Sequence, residues 1–222
     1  MKPMNESVRI RIQYYGGWLA RILFGFMVQG AEKVPRRGGL IIACNHISEM
    51  DPPVLGFSIP RNFAIMAKVE LFKHRFGDFF LKKLNAFPVN REGIDTKALR
   101  TAIDYLKGGE AVVIFPEGTR SHDGRLLPAK AGISLIASAS GAPILPAFIW
   151  GTDHPLRALI RKGKPFSVTF GKLISSRKLM EIKKKEGKKA VAETVIAAIA
   201  ETGYQIGLYS NSTVNSEKEG TM

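Results

Sequence analysis

Along the chain, apolar residues gather in short runs separated by glycine, proline and charge. Leu40 to Cys44, Asn62 to Ala67, Ala111 to Phe115 and Ile144 to Trp150 are such runs, and each predicts a strand. The run Ala111-Val112-Val113-Ile114-Phe115 has no wet face, so it is expected to be central and parallel. Pro146 is expected to break the run at Ile144 to Trp150, and Phe166-Ser167-Val168-Thr169-Phe170 alternates as an edge strand does. Between these runs the spacing changes. Leu99, Ala102, Ile103 and Leu106 share one helical face, with Asp95 as N-cap and Gly108 as stop, which predicts a helix over Asp95 to Lys107. Shorter helices are expected from Pro52 and over Ala131 to Ser140, and a last one over Val191 to Ile206. Strands alternating with helices predict an α/β fold: a single domain with a mostly parallel or mixed central sheet flanked by helices. No internal repeat is visible.

Two stretches stand outside this alternation. Tyr14 to Val28 is nearly apolar all round, but its length as a helix is about 22 Å, against about 30 Å for a hydrocarbon core. With Arg9, Arg11 and Arg21 nearby and Trp18, Phe24 and Phe26 to insert, it reads as a membrane-contacting helix lying in or dipping into one leaflet, or else as a helix packed on the domain. Lys68 to Leu84 mixes phenylalanine with lysine and arginine, which suits helices over an apolar channel or against lipid, or phenylalanines in a core. The expected organisation is an interfacial or re-entrant helix over 1–29, the main domain over 30–209 and a disordered polar tail over 210–222.

Charge sharpens the picture. The formal net charge is +14, and from Arg157 to Lys189 twelve lysines and arginines meet only Glu181 and Glu186. So clustered an excess favours an anionic partner: a membrane surface, a nucleic acid or a phosphorylated substrate. The only cysteine, Cys44, lies in an apolar run and reads as a buried structural thiol in a reducing cytoplasm. The N-terminal residues lack the order of basic, apolar and small-residue regions that a secretory signal needs.

Candidate chemistry begins just past the first strand, in Asn45-His46-Ile47-Ser48-Glu49-Met50-Asp51-Pro52-Pro53. On one continuous helix His46 and Asp51 would point about 140° apart. Asp51 before Pro52 reads instead as an N-cap with proline at the first helical position, leaving a loop that folds the carboxylate back onto the imidazole. A carboxylate on one ring nitrogen leaves the other free to take a hydroxyl proton, the arrangement of a general-base dyad. Alone, the pair reads equally well as a core-edge histidine beside a capping aspartate. A second polar loop, Pro116-Glu117-Gly118-Thr119-Arg120-Ser121, also follows a strand. Arg120 offers a fork for phosphate, Thr119 a hydroxyl and Gly118 a backbone open to close approach. Glu117 would repel phosphate, so it is assigned to a substrate hydroxyl or to a nearby basic side chain. Arg91 and Lys130 are further candidate clamps.

These residues resemble the glycerolipid acyltransferases of the lysophosphatidate acyltransferase type, over residues 30–150. Four blocks of that family stand in order: Asn-His-x-Ser-x-x-Asp at Asn45, His46, Ser48 and Asp51; a block ending in Arg91; Phe-Pro-Glu-Gly-Thr-Arg-Ser from Phe115 to Ser121; and a proline-bracketed apolar strand at Pro143-Ile144-Leu145-Pro146. Asn85 stands where the second block usually begins with glycine, and asparagine tolerates the left-handed backbone nearly as well. The resemblance implies transfer of a fatty acyl group from acyl-CoA or acyl-ACP to the free hydroxyl of 1-acyl-glycerol 3-phosphate, giving phosphatidic acid in phospholipid biosynthesis. Another lysophospholipid, or glycerol 3-phosphate itself, is the alternative acceptor. His46 would be the base and Asp51 its orienter. Arg91 and the loop Glu117 to Arg120 would bind the acceptor, with Asn45, Ser48, Lys68 and Lys130 completing the substrate-binding set. Neither a metal nor a cofactor beyond the thioester is expected, nor nucleic acid. The expected partners are the two substrates and an anionic membrane surface, with acyl carrier protein one of the two candidate carriers of the donor, and the expected place is the cytoplasmic face of the inner membrane, as a peripheral or monotopic protein.

Two other classes compete. Ser48 beside the dyad suggests a serine hydrolase, but the sequence holds no Gly-x-Ser-x-Gly elbow. A non-catalytic module binding anionic lipid would account for the charge and leave the His and Asp pair unexplained.

Overall fold

The computed structural model describes residues 11, 15–19, 22, 25–73, 81, 85–90, 93, 95–153, 166–205 and 207. Among them seven strands form one sheet: β1 Met27–Gln29, β2 Leu40–Cys44, β3 Phe63–Lys68, β4 Ala86–Val89, β5 Ala111–Ile114, β6 Ile144–Trp150 and β7 Ser167–Phe170. Their order is β1-β7-β6-β2-β5-β3-β4, and every neighbouring pair is parallel except β6 with β7. The sheet is therefore mixed. Among the described residues, helices α1 Asp51–Ser58, α2 Thr96–Lys107, α3 Gly132–Ser140 and α4 Ser176–Tyr204 flank it.

Alternation along β2 shows why both faces are covered. Ile41 and Ala43 join a core with residues of α2, α3 and α4, while Leu40, Ile42 and Cys44 join a second core with Val54 and Leu55 of α1. The connection after β2 thus leaves on one face and the connection after β5 on the other. The carboxyl ends of those two adjacent strands border a topological switch point, where doubly wound sheets bind ligands.

Local chemistry sets the ends of these elements. Asp95 caps α2 by accepting from the Ala98 N–H at 2.9 Å, as the sequence predicts, and its other oxygen takes the Asn90 N–H at 2.8 Å. Those two bonds hold its carboxyl below the usual range. Asn85 adopts φ 57, the left-handed turn expected of it in place of glycine.

Several expectations are corrected. Tyr14 to Val28 is not one helix: residues 15–19 are helical, but Gly25 at φ 61 turns the chain, Phe26 is buried and Met27–Gln29 joins the sheet beside β7. The boundary at 29 therefore cuts through the sheet. With β1 outside it, β7 is interior and buried along its whole length, so its alternation marks two packed faces and not an edge. Pro146 does not break β6. Its carbonyl accepts from the Gly171 N–H at 2.8 Å, so its nitrogen faces the point where β7 has just ended and no donor is needed. β4 carries no strand signal in the sequence because Pro88 interrupts it, and the edge position makes that proline harmless. The last helix starts at Ser176, fifteen residues before Val191, and is interrupted at Gly187 with φ 89. Its basic first part begins beside Ile144, since Ile174 bridges that residue at the amino end of β6. Most of Lys68 to Leu84, Arg157 to Lys164 and the tail 210–222 lie outside the described residues.

Candidate active site

The loop after β2 is built from backbone bonds that the sequence supplies locally. Asp51 is the first residue of α1, with Met50 and not Asp51 in the cap position, so its side chain is free to turn back over the loop. Pro52 and Pro53 then fill helical positions whose N–H groups have no intrahelical partner. The Asp51 carboxylate is fully buried. Its Oδ2 accepts from His46 Nδ1 at 2.8 Å, from the Ile47 N–H at 2.7 Å and from the Ser48 N–H at 2.9 Å. Its Oδ1 accepts from the Thr152 hydroxyl at 2.5 Å. Because Nδ1 donates to the carboxylate, Nε2 of His46 is the basic nitrogen, and no described residue bonds it. The imidazole stacks on Phe115 with ring centroids 4.1 Å apart.

The loop after β5 is stitched to the first one. The His46 N–H donates to Glu117 Oε1 at 3.0 Å, the Leu127 N–H donates to Glu117 Oε2 at 2.9 Å, and the Ser121 N–H donates to the His46 carbonyl at 2.8 Å. Glu117 is buried, and desolvation pushes its carboxyl up to about 7, against the pull of the two N–H bonds and with help from the nearby Asp51 charge. The Cys44 thiol is likewise raised by burial and by the Asp51 and Glu117 charges, so it stays an unreactive thiol.

The sequence-derived site therefore divides. His46 and Asp51 come together as expected. Glu117 is corrected: both its oxygens accept from backbone N–H groups, it is buried, and among the described residues no basic side chain pairs with it. Asn45 is corrected too. Its amide donates to the Ile149 carbonyl at 3.0 Å and accepts from the Ile149 N–H at 2.8 Å, so it fastens β6 and is not available to substrate. Ser48 Oγ accepts from the Met50 N–H at 3.2 Å, which makes it a turn former. Gly118 needs its glycine for its φ of 70, and the Lys130 side chain lies over it, with Cδ 2.8 Å from where a Cβ would stand. Thr119 is exposed, and Arg120 donates to Glu49 at 2.8 Å with its side chain 41% exposed. Lys68 ends β3 and faces Glu70 at 3.6 Å. Arg91 lies outside the described residues, just past β4. Thr152 escaped the sequence reading altogether, since nothing local marks it.

Beside Phe115 and Gly118 lies a cavity of about 240 Å³, walled by Met66, Val89, Leu99, Ile114, Ile133 and Ile136, with Lys130 and Asp95 as its charged members. Among the described residues no three His, Cys, Asp or Glu side chains gather as a metal-ion site, and no helix is long and apolar enough to cross a membrane.

Comparison with known proteins agrees with this geometry. A family model described as Acyltransferase matches residues 25–150. A 1-acyl-sn-glycerol-3-phosphate acyltransferase of Bacillus subtilis (strain 168) is 36% identical over 178 residues, 80% of this chain and 87% of that one. One from Streptococcus pneumoniae is 30% identical over 204 residues, covering 87% of this chain and 74% of its own length. The crystal structure of the 1-acyl-sn-glycerophosphate (LPA) acyltransferase, PlsC, from Thermotoga maritima superposes with a TM-score of 0.65 at 34% identity, over 87% of this chain and 79% of that chain.

Proposed function

The chain belongs to the acyltransferase family, and from that premise we propose that it moves a fatty acyl group from acyl-CoA or acyl-ACP to the free hydroxyl of 1-acyl-glycerol 3-phosphate, giving phosphatidic acid. The observation that carries the reading is the His46 and Asp51 pair, with Nε2 bonded by no described residue. Nε2 takes the proton of the acceptor hydroxyl, and the oxygen attacks the thioester carbonyl carbon. The tetrahedral adduct collapses, the C–S bond breaks, and the leaving sulfur recovers the proton from the imidazolium. Asp51 holds the tautomer and stabilises the imidazolium. The thioester is the only co-substrate this chemistry needs. The apolar cavity suits a fatty chain.

The acceptor's phosphate is assigned to Arg120 and Arg91, with Lys130 above Gly118 as a neighbouring cation. The Arg120 guanidinium is partly open to water, so its loss should cost about tenfold, the low end for a hydrogen bond to a charged group. Arg120→Ala is expected to raise the apparent KM for lysophosphatidate by that factor and leave the thioester's unmoved. Monoacylglycerol, lacking the phosphate, should be a poor acceptor for wild type and indifferent to the substitution. Release of thiol at full rate without acceptor would mean a hydrolase instead.

A peripheral or monotopic place on the cytoplasmic face of the membrane belongs to the same reading. Its support is the exposed series Tyr15, Trp18, Leu19 and Ile22, spaced as one helical face, together with the basic excess that anionic lipid attracts. Trp18, Leu19 and Ile22 changed together to serine should shift the protein from the pellet to the supernatant of anionic vesicles. Continued pelleting at high salt would put the anchor elsewhere. Acyl carrier protein as donor is tested by supplying each thioester separately.

A further inference from the structure

We infer that Thr152 is a positioning residue for the transfer reaction, the third member of a His46, Asp51 and Thr152 chain that fixes the carboxylate on which the base depends. The inference rests on the acyltransfer reading and extends it to a residue outside all four sequence blocks.

Asp51 Oδ2 has three donors, whereas Oδ1 has one among the described residues, the Thr152 hydroxyl, and the carboxylate is fully buried. Thr152 is fully buried as well. A buried carboxylate oxygen stripped of its sole donor loses free energy and torsional restraint together, so the plane that His46 meets is no longer fixed. The delivery of the hydroxyl is built, not incidental. The Asn45 amide exchanges two hydrogen bonds with Ile149 and so locks the end of β6 to the root of the dyad loop. Gly151, at φ 84, then turns the chain so that the next residue points back under Asp51. A side chain at Gly151 would strain this turn. Glu117, whose carboxyl feels the Asp51 charge, holds the His46 backbone from the other loop.

Thr152→Val keeps the shape and removes the donor. It is expected to lower kcat by roughly tenfold to a hundredfold, the scale of one hydrogen bond to a charged group, with the KM for lysophosphatidate unchanged. Thr152→Ser should restore most of the turnover. In an Asp51→Ala background Thr152→Val should cost nothing further, because its effect runs through the carboxylate. Turnover within twofold of wild type in Thr152→Val, a loss confined to KM, failure of serine to rescue, or an equal loss in both backgrounds would each overturn the assignment. If Thr152→Val does not fold, Thr152→Ala gives the same reading with less bulk. If wild type itself turns over no lysophosphatidate, the functional reading fails on its own. The NMR resonance of the His46 Nδ1 proton then decides about Thr152. It should shift in Thr152→Val and return in Thr152→Ser, and an unmoved resonance would overturn the assignment.

Discussion

His46→Ala should abolish acyl transfer while leaving a folded protein. General-base catalysis contributes roughly 10²- to 10⁴-fold, so turnover is expected to fall by at least that range. The fold should survive because Asp51 keeps its other donors, the Ile47 and Ser48 N–H groups and the Thr152 hydroxyl. Asp51→Asn is the finer probe. Its amide oxygen can take the three donors on the histidine side while its amide nitrogen turns to Thr152 Oγ1, so the loop is kept but both the charge and the acceptor for the Thr152 proton are lost. A loss in that variant well beyond that of Thr152→Val would assign the excess to stabilisation of the imidazolium. Turnover near wild type in a folded His46→Ala protein, measured with thioester and lysophosphatidate both saturating, would remove His46 from the chemistry.

Glu117→Gln should be nearly as damaging, for a different reason. Each carboxylate oxygen takes one backbone N–H, whereas an amide has one accepting oxygen and presents its NH₂ to the other donor. A buried donor left unmet costs about 1–3 kcal/mol, and a shift of about 1 Å in a catalytic group can cost about a hundredfold in rate. Turnover should therefore drop by about a hundredfold with acceptor KM nearly unchanged. The pH dependence has two signs. The ionised carboxylate is the better acceptor for both N–H groups, so its contribution to turnover should rise with pH through about 7. Stability runs the other way. The carboxyl is raised in the fold from 4.5 to about 7, so its protonation stabilises the fold fully below 4.5, and that stabilisation is lost as pH rises through about 7. The melting temperature of wild type should fall over that window more steeply than that of Glu117→Gln. Equal slopes for the two proteins would contradict the raised value.

What the sequence disclosed depended on whether its cause was local. β2, β5 and α2 were legible because a run of apolar residues, or one face with a cap and a stop, is written within a few positions. His46 and Asp51 were legible for the same reason, being five apart in one loop. β1 was hidden because three residues at the end of an apolar stretch read as more of the same helix, and only β7, far along the chain, makes them a strand. The start of α4 was hidden by its lysines, whose charge obscured the helical period. Asn45 and Glu117 were visible as polar residues in the right motifs, but the sequence does not say whether a polar side chain turns inward to backbone or outward to substrate. Thr152 bonds Asp51 across 101 residues, and no window along the chain contains both.

The long reach of these bonds also orders the protein's assembly in time. Asn45 meets Ile149 across 104 residues, and Lys33 bonds the Phe170 carbonyl across 137. At roughly 5–20 residues per second of synthesis, the β1 region waits roughly 7–27 s after leaving the ribosome before its partner strand exists. Its neighbours Trp18 and Leu19 emerge earlier still, and until β7 arrives no strand of the domain can hold β1 in the sheet. Ribosome-bound chains halted before Gly151 should consequently lack a closed site, however complete β2 and β5 are, and the slowest step of folding is expected to be closure of this far-separated edge.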